Sequence, residues 1–177
     1  MGTLKGTEPV LLFVGTLHAD SKAFDAAKRL LTQNFGDILF SSSRVPWNHS
    51  SYYKDELGWP IYRQFIFFRT LIDPGALADI KIKTNEFEYS LAVDGKRSVN
   101  LDPGYLTLFN IVLASTKNYA HRIYLGKGIY GEATLVYINN SYTPHLFTYR
   151  DYQEKSSIDI FAKARQELIQ LTKKNSG

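Results

Sequence analysis

Residues 71–115 read "LIDPGALADIKIKTNEFEYSLAVDGKRSVNLDPGYLTLFNIVLAS", and Asp-Pro-Gly occurs in them twice, at 73–75 and 102–104. Asp73 has the character of a helix N-cap, because its carboxylate can accept a free backbone N–H. Pro74 suits the first helical position, where no N–H is needed. Behind them Leu77, Ile80, Thr84, Phe87 and Leu91 recur at steps of three and four, which predicts a helix ending near Asp94-Gly95. "KRSVNL" (96–101) predicts a strand. By the same rule the second Asp-Pro-Gly predicts a short helix from Pro103 to about Ser115, with Asp102 as its cap. "NIVLAS" (110–115) could equally be a strand.

Towards the N-terminus, "PVLLFVG" (9–15) predicts a buried strand. In "ADSKAFDAAKRLLTQNFG" (19–36) Phe24, Ala27, Leu31 and Phe35 fall at helical spacing, with Asp20 or Ser21 to cap the start and Gly36 to end it. "DILFSSS" (37–43) predicts a second strand, Arg44 to Gly58 a long loop, and "PIYRQFIFFRTL" (60–71) a central strand. The order β-α-β-β-α-β is that of the split βαβ, or ferredoxin-like, arrangement. Beyond it come a hairpin around Gly126-Lys127-Gly128, a strand near 144–149 and a terminal helix from Ser156. That helix puts Phe161, Ala164, Leu168 and Leu171 on one face, and Ser156 with Asp159 resembles a capping box. The expectation is an α+β chain forming one domain over 1–177. Its ferredoxin-like (βαββαβ) core would occupy about 8–101, and residues 102–177 would add a C-terminal β-hairpin extension and a terminal helix.

At 177 residues, 44% of them hydrophobic, the chain can bury a sizeable core without disulfides or structural metal. The absence of cysteine excludes a disulfide framework, thiolate zinc sites and a Cys nucleophile, and suits a reducing cytoplasm. No window approaches the roughly 18 apolar residues of a membrane helix. The apolar run from Val10 to Val14 is too short for a signal peptide. The net charge of +4 is compatible with nucleic acid or anionic ligands, but the basic residues are scattered, paired only at Lys28-Arg29, Lys96-Arg97 and Lys173-Lys174. Histidines 18, 49, 121 and 145 lack metal-ligand spacing, and no motif names a cofactor.

"HRIYLGKGIYGEATL" (121–135) contains Gly-Lys-Gly, but a phosphate loop needs a Ser or Thr after the lysine and a helix beyond it. A hairpin tip explains the glycines, with 126–128 as a three-residue loop. In that register Tyr124 faces Tyr130 and Arg122 faces Glu132, so these four share one sheet face. His121, Ile123, Leu125, Ile129 and Ala133 take the other, apolar face. A two-residue loop would slide the pairing and dissolve the cluster. The polar face reads either as an ordinary cross-strand ion pair or as a site. In the second reading Arg122 grips an anion and Glu132 orients it or moves a proton. His121 reads as a core histidine or a general base. Lys117 could assist Arg122, and the helix start at Asp102 could cap or bind an anion. The run "WNHSSYYKDELG" (47–58) reads as a functional loop or a flap over the sheet; folded against the hairpin, it would bring in Tyr53 and Glu56.

Four stretches, "FVGTLHAD" (13–20), "SSYYKDELG" (50–58), "LIDPGALADIKIKTNEFE" (71–88) and "NLDPGYLTL…LASTKNYAHRIYLGKGIYGEATL" (100–135), resemble the prokaryotic DUF4416 family over roughly residues 8–170. The resemblance implies no particular reaction. A GTP-binding label attached to some members finds no support, since the chain has neither a Walker loop nor an N-K-x-D motif. Where members typically carry Glu-Met-Gly, this chain has Glu56-Leu57-Gly58, a mild departure at a packing position. The family's polar positions kept here include Tyr53, Glu56, Lys81, Asn85, Asn100, Asp102, Tyr105, Lys117, His121, Arg122, Tyr124, Tyr130 and Glu132, which marks the hairpin face as a candidate site. Two functions follow as expectations. The first is a domain binding or acting on a small anionic ligand, phosphorylated or nucleotide-like. The second is a non-catalytic RNA-binding module using aromatics on an open sheet, although no RNP1-like string is present. A structural partner in a protein assembly is a third.

Overall fold

The computed structural model describes residues 2–3 and 6–175; the side chain of Lys174, in one of the basic pairs above, lies outside the described part. The chain begins with β1 (Val10–His18), α1 (Ser21–Phe35) and β2 (Ile38–Ser41). Asp20 accepts the Lys22 N–H at 2.9 Å to cap α1, and Gly36, at φ 91°, stops it. The span expected as a long loop contains a two-residue strand, β3 (Val45–Pro46), and one helical turn, α2 (Lys54–Leu57). β4 (Tyr62–Ile72) follows, then a 3₁₀ turn at Pro74–Ala76 whose Gly75 N–H is capped by Asp73, then α3 (Leu77–Ser90). α3 stops before Asp94-Gly95, which form a separate tight turn at positive φ.

The second Asp-Pro-Gly does not open a helix. It lies inside β5 (Val99–Leu106), which turns into β6 (Asn110–Ser115). What differs is the sequence behind it: helical spacing follows Asp73, whereas Tyr-Leu-Thr-Leu after Gly104 and the Ile-Val pair suit a pleated strand. Then come β7 (Ile123–Gly126), β8 (Ile129–Ile138), β9 (Ser141–Pro144), α4 (Arg150–Gln153) and α5 (Lys155–Asn175). The strand expected near 144–149 is therefore shifted towards the N-terminus. Asp159 pairs with Lys155 rather than completing a capping box with Ser156.

The described strands form one sheet in the order β2-β4-β1-β5-β6-β8-β7, with β3 on β4 and β9 on β8, every pair antiparallel. The architecture is mixed α and β, dominated by this large antiparallel sheet. The division placed at 101/102 falls inside β5, and the sheet runs on without a break.

β1 is buried along its whole length and presents different residues to the two faces. Leu12 and Val14 meet Ala27 and Leu31 of α1 and Ile80 and Phe87 of α3. Leu11 and Phe13 join Phe65, Phe67 and Phe161, Ala164 and Leu168 of α5. This half of the sheet is thus covered on both sides. On the second side the amphipathic stripe of α5 covers Phe13, Phe65 and Phe67.

The hairpin corrects one expectation in an instructive way. Tyr124 faces Tyr130 and Ile123 faces Gly131 as read, yet Gly126 pairs with Ile129, so the loop is Lys127-Gly128 alone. Both loop residues have positive φ, as a type I′ turn requires. An irregularity between Tyr124 and Gly126 absorbs the extra residue and restores the register, so the two-residue loop does not dissolve the polar cluster. Of the supposed apolar face only Ile129 is buried; Ile123 and Leu125 are exposed on β7, the edge of the sheet, and Ala133 is exposed on β8.

Two predictions follow from the packing. A Cβ on Gly104 would meet the Val112 carbonyl oxygen at 2.5 Å and Phe13 at 2.7 Å. Gly104→Ala should cost about 3 kcal/mol in urea unfolding; an unchanged midpoint would show that β5 and β6 can part there. His18 is 1% exposed and stacks on Phe24 at 4.4 Å, and its Nδ1 has no hydrogen-bond partner among the described residues. Burial, helped by Arg44 and opposed by Asp25 and Asp20, lowers its pKa to about 4. The unfolded chain therefore binds more protons, so stability present above about pH 6.5 falls as pH drops towards 4, by up to about 3 kcal/mol. Urea unfolding at pH 7 and 4.5 should show this loss, and His18→Leu should reduce it.

Candidate functional site

The site begins with a strand that loses its neighbour. β5 pairs with β6 only from Gly104↔Leu113 to Leu106↔Ile111. Along residues 99–103 its outer edge has no strand beside it, and an unpaired buried backbone group is costly. Two charged side chains of α3 take the missing strand's place. Glu88 accepts the Leu101 N–H, and the Lys81 ammonium donates to the Leu101 carbonyl at 2.9 Å. By the alternation of the strand, Pro103 faces the same edge, where its missing N–H costs nothing. β6 and β8 diverge from this edge, and the gap is a cleft of about 660 Å³.

The floor is a buried polar network. Arg63 of β4 meets the Asp151 carboxylate through Nε at 2.9 Å and Nη2 at 2.6 Å, and the Trp47 indole donates to the same carboxylate at 3.1 Å. Asp102, next to it on β5, lies 3.6 Å from Lys81, accepts from the Asn100 amide at 2.7 Å and is 3.9 Å from Arg63. Desolvation opposes the Arg63 charge, but Asp151, Tyr152 and Asp102 together outweigh it and raise its pKa. Burial pushes the Glu88 carboxyl up, against the pull of Lys81 and the Leu101 N–H.

The loop of residues 47–58 forms one wall. Trp47 is its anchor, packed against Tyr53 with ring centroids 5.6 Å apart, and Leu57 is buried with it, as a packing position should be. Glu56 pairs with Arg97 at 2.5 Å, and Arg97 also reaches Glu88 and donates to the Asn100 side-chain oxygen. Burial, with the nearby charge of Asp102, raises the Tyr53 phenol, so that wall stays protonated. Tyr52 stands exposed at the mouth, with the Lys117 ammonium over its ring at 5.4 Å.

The hairpin closes the opposite side. Glu132 is buried and lines the cleft; its Oε2 meets Arg122 Nε at 2.7 Å and His121 Nε2 at 3.0 Å, while Thr134 donates to Oε1 at 3.1 Å. Arg122 donates in addition to Ser115 at 2.8 Å, to the Lys117 carbonyl at 2.7 Å and to the Tyr149 hydroxyl at 2.6 Å. Its side chain is 2% exposed. Behind Glu132, His121 stacks on Phe147 at 4.4 Å. It faces the polar cluster, not the core expected for its side of the strand.

Of the residues singled out in the sequence, Tyr53, Glu56, Asp102, Lys117 and Glu132 line the cleft together, and Lys81, Asn85 and Asn100 join them. The loop and hairpin therefore meet in one pocket. Asp102 does so from a strand rather than a helix start, so the helix-terminus anion site expected there does not exist. Tyr105 packs half-buried near Ala114 and Ile129, and Tyr124 and Tyr130 pair on the hairpin, away from the cleft. Arg63, Arg97, Tyr149, Arg150 and Asp151 were not legible as site residues. Their partners lie up to 88 positions away, as Arg63 and Asp151 do. Among the described residues no group of three His, Cys, Asp or Glu side chains gathers to hold a metal ion, and no helix is long and apolar enough to cross a membrane.

The family model of a domain of unknown function, DUF4416, matches residues 8–168. No curated protein and no solved structure matches the chain.

Asp151 sits at the junction of floor, wall and α4, and its removal would leave Arg63 buried without its main partner. Asp151→Ala should cost about 3–5 kcal/mol in urea unfolding followed by Trp47 fluorescence. A loss below about 1 kcal/mol would show that Asp102 can take over the guanidinium.

Proposed function

The chain belongs to the DUF4416 family, and from that footing we propose that it binds or acts on a small anionic ligand in this cleft, phosphorylated or nucleotide-like. The observation that carries the reading is a pair of cleft-lining cations that no carboxylate faces among the described residues. Every carboxylate facing the cleft has a cation within ion-pair distance, with one guanidinium shared: Glu56 and Glu88 both reach Arg97, Asp102 has Lys81, Glu132 has Arg122 and Asp151 has Arg63. Lys117 and Arg150 line the same cleft, and neither has a carboxylate partner among the described residues. Two cations without a carboxylate partner, in a cleft also lined by Tyr52 and Tyr53, suit an oxyanion attached to a body that packs on rings.

The volume is in the range of a metabolite-sized pocket. If the ligand is transformed, Glu132, buried in the cleft lining, and His121 behind it are the groups placed to move a proton. The RNA-binding alternative draws less support, since Phe13, Phe65 and Phe67 lie under α5. The strand order β2-β4-β1-β5, with α1 and α3 as the two crossovers, supports reading residues 10–106 as a ferredoxin-like unit to which the remaining elements are added. The lack of cysteine suits a cytoplasmic setting.

Calorimetric titration with pyrophosphate and with adenosine monophosphate at low salt tests the proposal. Binding should be seen, should weaken as salt rises, and should fall about fivefold to tenfold with Lys117→Ala or Arg150→Ala, the size of one charge-assisted contact. Binding unaffected by either substitution would place the anion elsewhere.

A further inference from the structure

One reading of the sequence gives Arg122 to the anion and the other to an ion pair with Glu132; its guanidinium is committed on every side inside the protein. We propose that what the hairpin delivers to the cleft is the hydroxyl of Tyr149, aimed by Arg122 as a hydrogen-bond donor to a phosphoryl or carboxylate oxygen held by Lys117 and Arg150. The inference rests on the anion-binding reading of the cleft and adds the group that recognises the anion's acceptor oxygen.

The argument is one of proton direction. A guanidinium only donates, so at 2.6 Å from Arg122 Nη2 the Tyr149 oxygen must accept. The phenol's own proton has no acceptor among the described residues, and Tyr149 lines the cleft. Its neighbour in sequence is Arg150. The same guanidinium holds the Lys117 carbonyl at 2.7 Å, so one side chain sets the backbone of one cation and the hydroxyl beside the other. Glu132 and Ser115 fix the guanidinium in turn, at 2.7 and 2.8 Å. Burial, reinforced by the Glu132 charge and opposed by Arg122, raises the Tyr149 pKa to about 12, so the phenol remains a donor throughout the neutral range. With the phenol oxygen already accepting from Arg122, the ammonium, the guanidinium and the phenol present donors to the cleft, which suits an oxyanion and disfavours a cationic group.

The test uses pyrophosphate as probe, with calorimetry for affinity and thermal unfolding as a control on the fold. Tyr149→Phe should weaken binding about tenfold while leaving the melting temperature within a few degrees. Arg122→Lys should weaken it as much, and the double variant no further than either, because both changes remove the same directed proton. If Arg122→Lys fails to fold, Arg122→Gln serves in the cycle. Equal affinity of Tyr149→Phe and the unaltered chain would overturn this inference alone and leave the cleft reading standing. Absence of pyrophosphate binding to the unaltered chain would overturn both. Additive losses in the double variant would overturn the positioning role of Arg122.

Discussion

The outer edge of β5 at Leu101 is the constraint around which the rest is arranged. A sheet that lost a strand at this point would leave an N–H and a carbonyl buried without partners, each costing about 1–3 kcal/mol. Glu88 and Lys81 supply those partners from α3, and Pro103 removes the next donor that would have needed one. Only because the edge is satisfied in this way can β6 and β8 swing aside and leave a cleft between strands of one continuous sheet. Two charges buried for a backbone purpose thereby become part of the lining of a pocket.

That origin explains the electrostatics. Charges brought into the interior must be paired, and the pairing spreads from Lys81 to Asp102, from Glu88 to Arg97, and from Arg97 to Glu56 on the loop. A second buried pair, Arg63 with Asp151, ties β4 to α4, and Trp47 fastens the loop to the same carboxylate. A third, Arg122 with Glu132, ties the hairpin to the cleft's far side. The networks rigidify three walls from three distant parts of the chain. Cations that remain unpaired after this neutralisation, at the rim, are the ones available to a ligand.

Much of the fold was legible because local signals and tertiary demands agree. Phe24, Ala27 and Leu31 are spaced for a helix face, and the sheet offers them Leu12 and Val14. Phe161, Ala164 and Leu168 find Phe13 and Phe65 in the same way. The hairpin tip was legible from its glycines, though the loop is a residue shorter than expected and an irregularity restores the pairing. After Asp102 the strand alternative for 110–115 holds, and the helix from Pro103 does not form, because Asp-Pro-Gly signals a helix start only when helical spacing follows. Here its proline and glycine serve other ends: Pro103 sits at the parting of β5 and β6, and Gly104 admits the Val112 carbonyl and Phe13.

By itself the sequence determined the order β1, α1, β2, β4, α3, β5 of the first half, the amphipathic faces and the fact that Tyr53, Glu56, Lys117 and the hairpin carry polar groups. These depend on periodicity and residue type, which act over a few positions. Only the tertiary structure decided that the loop and hairpin face one cleft, that Arg122 is consumed within the protein, and that Arg63, Arg97, Tyr149 and Arg150 line that cleft. Those outcomes depend on where the sheet parts and on which buried charges find partners across dozens of residues, and a pairing free energy of that kind has no local signature in the chain.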